Sequence, residues 1–453
     1  MKLEVIDNHR SLFSPVPRGW HQRNMRFAVA RYQTAKNQEE NPTVLSLTKG
    51  GLKVKADLSF GKSTENYVGH QIVKRGQFVF TPRDFDATPI LCGVAETDGC
   101  ISNLYIVFDV SPHISSRFLE YYFWGLKYGF EFFEKLSFGM RYSFNRTQFE
   151  NIPLLYPDLN TQEAVVNFLD QETARIDHLI EKKQRLVTLF GVKRSAVISN
   201  ATVKGLNPNV EMKDTGIKWL GEVPAHWKVM PIKYLATRSL IDGPHVTPTK
   251  CDDGVPFISA ESIKNGRINF EKKWGHISED DHKLYSRRYK PQRGDIFVVK
   301  LGATTGRVAR VETDDDFNIW VPLAAIRPKS EAISKQIYYA LQSNQVNDAY
   351  QVLWTYGTQQ TLGLGTLSNL RLPVPPEPEM EEIARYLEGR LPKIESAIEL
   401  TEQSIEHLKE YRSALITAAV TGQIDVGTWG KSGQTDRRLD QIEEDMALRE
   451  ARA

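Results

Sequence analysis

The sequence predicts an α+β fold with two tandem α/β modules, separated and followed by long helices that pair as an antiparallel coiled coil with pseudo-two-fold symmetry. Three observations lead to this prediction. The chain repeats itself, each repeat begins with short strand-like runs, and each repeat ends with a seven-residue apolar periodicity.

The internal repeat keeps one register over widely separated segments. Residues 151–198 match residues 369–416 at an offset of 218, as in Asn151 with Asn369, and the same offset joins 74–80 to 292–298. Near the start of each repeat, Trp20 matches Trp227 at an offset of 207. The second repeat therefore carries 11 additional residues between these points, and a chance match would not keep such a register.

The first part of each repeat is rich in short β-branched or aromatic runs bounded by Gly, Pro and Asp, which are typical of strands. The runs are KVKADL, QFVFTP and LYIVFDV in the first repeat and DIFVVK and VPLAAIRP in the second. One apolar helix is expected in each module, at 113–126 and at 332–343. We expect their Tyr and Phe clusters to lie in the core.

The second part of each repeat is helical. A short helix is expected at 162–170 and at 379–388. Because proline suits the first helical position and not the interior, a longer helix is expected to begin near Pro392, and near Ala174 in the first repeat. Each long helix would have about 29 residues and span roughly 43 Å.

Apolar residues recur every seven positions along these helices, which indicates a coiled-coil seam with polar breaks. The predicted pairing residues are Ile176, Ile180, Val187, Ile394, Ile398 and Ile405. Two similar helices in one chain can pair with each other, antiparallel if a pseudo-two-fold axis relates the repeats. The alternative is that each helix packs only on its own module.

The repeat and the helix pattern together predict six segments. These are an N-terminal extension (1–19), a first module (20–157), a central helical spacer (158–206), a second module (207–375), a C-terminal helical spacer (376–426) and a charged tail (427–453).

Composition limits the class of protein. Hydrophobic residues make up 41% and charged residues 25% of the 453, and the net charge is +2, which neither requires nor excludes nucleic acid. The three cysteines cannot form a disulfide framework, as is usual in a reducing cytoplasm. No signal peptide or membrane span is expected, so the predicted location is cytoplasmic.

Motifs for catalysis are missing from the sequence. Gly430-Lys431-Ser432 lacks the first glycine of a phosphate loop, because Asp425 stands in its place. Asn41-Pro42 is not followed by the Pro-aromatic pair of adenine methyltransferases. Asp158 and Glu181 imitate a nuclease pattern, but Glu181 lies on the predicted coiled coil. The scattered histidines show no metal-ligand spacing, so neither a metal site nor a catalytic residue is predicted.

Five stretches resemble the specificity subunit (HsdS) of type I restriction–modification enzymes. They are 212–229 (MKDTGIKWLGEVPAHWKV), 369–387, 408–426 (LKEYRSALITAAVTGQIDV), and the strand segments 293–311 and 101–108. The likeness extends to about Val426. Two departures are the weak opening of the first module, RGWHQRNMRF at 18–27, and the tail beyond 426.

The resemblance implies a non-catalytic chain. Each module would be a target recognition domain that reads half of a split DNA site, and the helices would set the spacing and dock two methyltransferase subunits. Restriction (translocase) subunits would join the complex. S-adenosylmethionine and ATP with Mg would bind those partners, so no cofactor is expected in this chain.

DNA-contacting residues can be nominated only by chemistry, because Arg and Lys suit guanine and phosphate while Asn and Gln suit adenine. Side chains on glycine-containing turns are the candidates. They are Lys49, Lys62, Arg83 and Arg141 in the first module and His245, Thr247, Lys250, Lys300, Arg307, Gln359 and Gln360 in the second. Two other hypotheses stay open at this point: a coiled-coil scaffold for proteins without a DNA role, and an enzyme with an unrecognised site.

Overall fold

The computed structural model describes residues 13, 15–48, 51–55, 66–83, 91–133, 145–353, 355–356, 360–429 and 437. The chain divides into two compact units. Unit 1 contains residues 1–185 and 400–453, and unit 2 contains residues 186–399. Each unit therefore combines one module with parts of both long helices. The boundaries drawn between modules and helical spacers cut the chain differently and stay a prediction.

Nine α-helices lie in the described part of the chain. They are α1 (Ser116–Tyr128), α2 (Arg146–Glu150), α3 (Leu159–Ser199), α4 (Glu279–Arg288), α5 (Glu331–Ala340), α6 (Asn344–Leu353), α7 (Leu364–Asn369), α8 (Glu377–Val420) and α9 (Val426–Trp429). A π-helical turn, Asn200–Lys204, directly follows α3.

The strands of unit 1 form one four-stranded sheet and three two-stranded ones. They are β1 (His21–Asn24), β2 (Val29–Tyr32), β3 (Leu45–Thr48), β4 (Gly51–Val54), β5 (Gln71–Val73), β6 (Phe78–Phe80), β7 (Cys92–Val94), β8 (Gly99–Ile101), β9 (Ile106–Val110) and β10 (Pro153–Tyr156). The four-stranded sheet has the order β2-β9-β6-β7, and β1 pairs with β10.

The strands of unit 2 up to the middle of its module are β11 (Met212–Asp214), β12 (Glu222–Pro224), β13 (Lys228–Pro231), β14 (Ile241–Asp242), β15 (Val255–Ile258), β16 (Ile263–Lys264), β17 (Arg267–Ile268) and β18 (Gly275–Ile277). The later ones are β19 (Ile296–Val299), β20 (Val308–Arg310), β21 (Asn318–Ile319), β22 (Leu323–Ile326), β23 (Thr355–Tyr356), β24 (Gln360–Thr361) and β25 (Arg371–Val374). Their four-stranded sheet has the order β14-β22-β19-β20, and a second sheet has the order β18-β15-β21.

The two modules match element by element. Strand β10 and the start of α3 shift by 218 residues onto β25 and the start of α8, and β1 shifts by 207 residues onto β13. In each module the first of these strands pairs antiparallel with the last, β1 with β10 and β13 with β25. The repeat inferred from the sequence is therefore a repeat of structure.

The core of unit 1 is built around α1, whose aromatic side chains are buried as the sequence predicts. Tyr122 and Phe123 are fully buried, and Phe123 packs against Phe80 with ring centroids 4.9 Å apart. The C-terminal part of α8 contributes Leu415 and Ile416 to the same core. In unit 2, Ile198 of α3 and Leu387 of α8 pack with Trp227. The helices thus pack on the modules as well as on each other.

The long helices pair antiparallel in both units, which confirms the predicted coiled coil. In unit 1, Arg412 of α8 pairs with Asp177 of α3 at 2.9 Å. In unit 2, Arg194 of α3 pairs with Glu395 of α8 at 3.1 Å. From the first ion pair to the second, the residue number rises along α3 by the same amount as it falls along α8, as expected for antiparallel helices.

The predicted pairing residues differ in burial. Ile176, Ile394 and Ile405 are buried, whereas Ile180, Val187 and Ile398 are half-buried.

The predicted helix breaks near Ala174 and at Pro392 are wrong, and so is the length derived from them. The short helices expected at 162–170 and 379–388 are the first turns of α3 and α8. Helix α8 runs through Pro392 and has 44 residues, and α3 has 41, so they span about 66 and 62 Å at 1.5 Å per residue. Proline costs about 3 kcal/mol inside a helix. Its ring is exposed here, and burial of Leu391 and Ile394 beside it contributes a comparable stabilisation.

Candidate nucleic-acid interface

Two candidate residues of the second module, His245 and Lys300, lie against Asp242 at the end of β14. The carboxylate of Asp242 is almost fully buried and faces three basic side chains. Lys300 Nζ lies 3.0 Å away, Arg288 Nη2 3.1 Å away and His245 Nε2 3.3 Å away. Two of the nominated residues, His245 and Lys300, therefore meet at one carboxylate.

The charge of Asp242 is stabilised by its neighbours. Burial alone would raise the pKa of this carboxyl, but the hydrogen bond from Lys300 and the charges of Lys300, His245 and Arg288 outweigh burial and lower the pKa below its usual value. Lys300 is itself buried, so its ammonium holds Asp242 and the strand end in place. His245 is exposed and remains accessible to a ligand.

The loop after Asp242 carries Thr247 and Lys250, both exposed. Its first residue must be glycine, because a Cβ on Gly243 would lie 2.0 Å from the carbonyl oxygen of Ile319. Lys250 Nζ lies 4.7 Å from the centroid of the Trp274 ring, a cation–π contact. The loop thus begins at a fixed point and presents polar side chains outward.

The turn between β19 and β20 carries Arg307. Gly302 and Gly306 bound the turn at φ +90° and +92°, and the hydroxyl of Thr305 donates to the Gly302 carbonyl at 2.7 Å. Arg307 is exposed beyond it. Leu301 bridges Thr361, which places hairpin β23–β24 beside this turn.

Gln360 lies in β24, within that hairpin. Gln359 lies outside the described residues, so the structure places only one of these two candidate glutamines.

The structure says less about the first module. Arg83 is exposed just after β6, and its carbonyl accepts a hydrogen bond from Thr81. Lys49, Lys62 and Arg141 lie outside the described residues, and their assignment stays a prediction.

A hairpin that the sequence reasoning missed lies in the second module. Strands β16 and β17 join through Asn265 and Gly266, at φ +51° and +78°. An Asn-Gly pair between two short apolar runs is a strong local hairpin signal, so the sequence did contain it. Lys264 and Asn265 are exposed on this hairpin.

The helix pair of unit 2 presents exposed apolar side chains on α3 and a groove lined by cations. Leu186, Leu189 and Val192 of α3 are 41%, 55% and 63% exposed at helical spacing. Beside them a groove of about 540 Å³ is lined by four cations, Lys193, Arg385, Arg390 and Lys393, together with Tyr386. None of these four cations makes an ion pair within the described residues. The helix pair of unit 2 therefore carries both exposed hydrophobic side chains and positive charge.

Two searches of the described residues were negative. No cluster of three or more His, Cys, Asp or Glu side chains could hold a metal ion. No described helix combines the length and apolar character needed to cross a bilayer. Asp158 directly precedes α3 and Glu181 lies in the middle of it, about 35 Å away at 1.5 Å per residue, which is too far for a shared site.

The family model for the type I restriction modification DNA specificity domain matches residues 225–410. The specificity subunit of type I restriction enzyme MjaVIII from Methanocaldococcus jannaschii is 23% identical over 288 residues, covering 61% of this chain and 63% of that protein. The EcoBI specificity subunit from Escherichia coli is 23% identical over 279 residues, covering 59% and 57%. The matches thus span about three fifths of these relatives.

The fold is shared over more of the chain. A solved chain from work on complex assembly and conformational transition of the type I R-M system superposes with a TM-score of 0.65 at 14% identity. The superposition covers 90% of this chain and 99% of that chain. At this identity the likeness concerns the fold alone.

Proposed function

We propose that this chain is a specificity subunit of the type I restriction–modification kind and that it binds a DNA sequence split into two parts, one read by each module. The observation that carries the proposal is the structural repeat. Two modules with the same sheet order end in helices that pair antiparallel. Two similar readers in one chain suit two half-sites separated by bases that are not read.

The second module offers suitable chemistry for its half-site. His245, Thr247 and Arg307 are exposed on two segments that start from the same four-stranded sheet, and Lys300 anchors the strand end beneath them. Such rigidly supported polar side chains are what base-edge and phosphate contacts require. In the first module Arg83 is the described candidate.

The exposed apolar stripe on α3 supports the proposal that the helix pair docks methyltransferase subunits. Leu186, Leu189 and Val192 share one side of the helix, and exposed aliphatic patches of this kind mark protein interfaces. In this proposal the restriction subunits join the same complex. S-adenosylmethionine and ATP with Mg bind those partners, and the chain itself performs no chemistry.

Selection from a pool of random DNA duplexes tests the reading of DNA. We expect the full chain to enrich duplexes with two short constant blocks at a fixed separation, with binding that weakens as salt increases. If no sequence is enriched, the chain does not read DNA, and a scaffold role becomes the better account.

A pair of variants tests the docking surface. Leu186→Glu with Leu189→Glu should abolish co-purification with the co-expressed methyltransferase subunit, because two charges would lie in an apolar interface. Val352→Glu on α6 is the matched control, since Val352 is 78% exposed and lies off the helix pair. Equal co-purification of both variants would exclude this surface.

A further inference from the structure

A polar groove in unit 2 lies where three elements meet. Helix α3 borders it with Arg194, hairpin β16–β17 with Lys264 and Asn265, and the turn before β20 with Thr305 and Arg307. The cavity measures about 380 Å³. The groove lies between hairpin β16–β17, which the sequence analysis did not predict, and the turn that carries Arg307, which it did.

The groove is rich in hydrogen-bond donors and positively charged. Arg194 is compensated, because it bonds Glu395 at 3.1 Å and Gln342 at 3.0 Å. Lys264 and Arg307 make no ion pair within the described residues, and Arg307 has only a long contact of 3.5 Å to the Ile263 carbonyl. None of the described lining residues is acidic. Two uncompensated cations therefore face one cavity.

Glycines fix the borders of this groove. A Cβ on Gly266 would lie 2.2 Å from the hydroxyl of Tyr338, and one on Gly306 would lie 2.9 Å from the ring of Tyr350. Both glycines have positive φ, which strains other residues. The hairpin and the turn are thus packed tightly on α5 and α6, and the two cations project from a rigid frame.

We infer that this groove binds a phosphate group of the DNA backbone, with Lys264 and Arg307 as its charged ligands. A guanidinium offers paired donors that match phosphate oxygens, and an ammonium adds a point charge. Asn265 and Thr305 provide neutral polar groups beside them. Such a contact carries no sequence information and fixes the register of the module on the duplex. The inference rests on the proposed DNA binding.

The test compares the full chain with the double variant Lys264→Ala, Arg307→Ala. Fluorescence anisotropy measures the binding of a duplex with the selected sequence and of a scrambled duplex over a range of salt concentrations. We expect a several-fold loss of affinity for both duplexes by a similar factor. The slope of log affinity against log salt should fall by about 0.9 for each phosphate contact removed.

Two further variants control the experiment. Lys228→Ala removes an exposed lysine of β13 that does not line the groove, and it should leave the salt slope close to the parent value. Arg307→Lys keeps the charge and loses the paired donors, so it should keep the slope while affinity falls. If the double variant unfolds, the single exposed change Lys264→Gln gives the slope instead.

The outcomes separate this inference from the proposed function. An unchanged salt slope in the double variant, with the parent still preferring the selected duplex, would overturn the phosphate site alone. A changed base preference would overturn it too, because the groove would then contact bases. A parent chain without any sequence preference would overturn the proposed function.

Discussion

The two modules share a buried turn but differ in its charge. In the first module the buried amide of Gln77 bonds Asp109 at 2.9 Å and accepts from the Lys74 backbone at 2.9 Å. In the second, at the same register, the buried carboxylate of Asp295 bonds Arg327 at 2.8 Å and accepts from the Gln292 backbone at 3.0 Å.

This difference shows how the repeat tolerates divergence. The backbone contact that closes the turn is the same in both modules, while the side-chain pair has changed from an amide with a carboxylate to a carboxylate with a guanidinium. Tyr289 adds a third contact to Asp295, at 2.7 Å. The backbone of the turn is therefore the same in both modules. The buried side chains that close it can differ, provided that each buried polar group keeps a hydrogen-bond partner.

Removing the side chain that pairs with the buried polar group of this turn should lower the free energy of unfolding more in the second module than in the first. Arg327→Ala leaves the buried carboxylate of Asp295 without its ion pair, and we expect unit 2 to lose about 3–5 kcal/mol. Asp109→Ala leaves a neutral amide short of one acceptor, and we expect unit 1 to lose about 1 kcal/mol. Hydrogen exchange of peptides from β19 and β6 measures the two losses separately.

Equal losses in the two units would mean that the buried charge has no special role. A double variant that moves the first module's side-chain pair into the second module tests the role of the buried charge directly. Asp295→Gln combined with Arg327→Asp recreates the first module's chemistry in the second, and it should recover most of the stability lost in Arg327→Ala.

Proline should also distinguish the two long helices. Pro392 of α8 lies at the register of Ala174 in α3, and both are exposed. Ala174→Pro should destabilise unit 1 by about 3 kcal/mol, because the helix interior loses a hydrogen bond and gains a clash. Pro392→Ala should stabilise unit 2 by about 1–3 kcal/mol. Urea unfolding measures both, and a neutral Ala174→Pro would show that the helix pair absorbs a proline at either position.

The lysine that pairs with Asp242 is not repeated in the first module, where Pro82 takes the register of Lys300. Asp242→Asn should cost about 2 kcal/mol at pH 7, since the buried Lys300 loses its charged partner. Because folding lowers the pKa of Asp242, its contribution is present above the unfolded pKa of about 3.9 and is lost as the pH falls through the folded pKa.

The pH dependence gives this prediction its control. The difference in urea stability between Asp242→Asn and the parent should shrink as the pH falls below about 4. Asp98→Asn in the first module disrupts an exposed pair with Lys74 and should show a much smaller difference throughout. A pH-independent difference for Asp242→Asn would contradict the ionic origin of its effect.

Local patterns made the architecture predictable from the sequence. The constant offset and the seven-residue spacing can be read from residue types alone, and they predicted the repeat and the paired helices. The aromatic run at 113–126 predicted the core of α1. The continuity of α8 was not predictable in this way. It depends on contacts of Leu387 and Leu391 with Trp227, far away in the sequence, which outweigh the local preference at Pro392.

The candidate site was less predictable because its geometry is assembled from distant residues. Lys300 was nominated for DNA contact because it lies beside a glycine-containing turn, and the structure buries it against Asp242, 58 positions earlier in the numbering. Arg288 joins the same carboxylate from α4 without any local signal. Hairpin β16–β17 was detectable from Asn265-Gly266, but its meeting with Arg307 was not.

Exchange of one module tests the central claim most directly. Residues 228–374, the segment closed by the pairing of β13 with β25, are replaced by the corresponding segment of the EcoBI specificity subunit. The parent and the exchanged chain then select sequences from the same pool of random duplexes. The account predicts that one constant block changes while the other block and the gap between them stay the same. A change in both blocks, or in neither, would contradict the claim that each module reads its own half of the site.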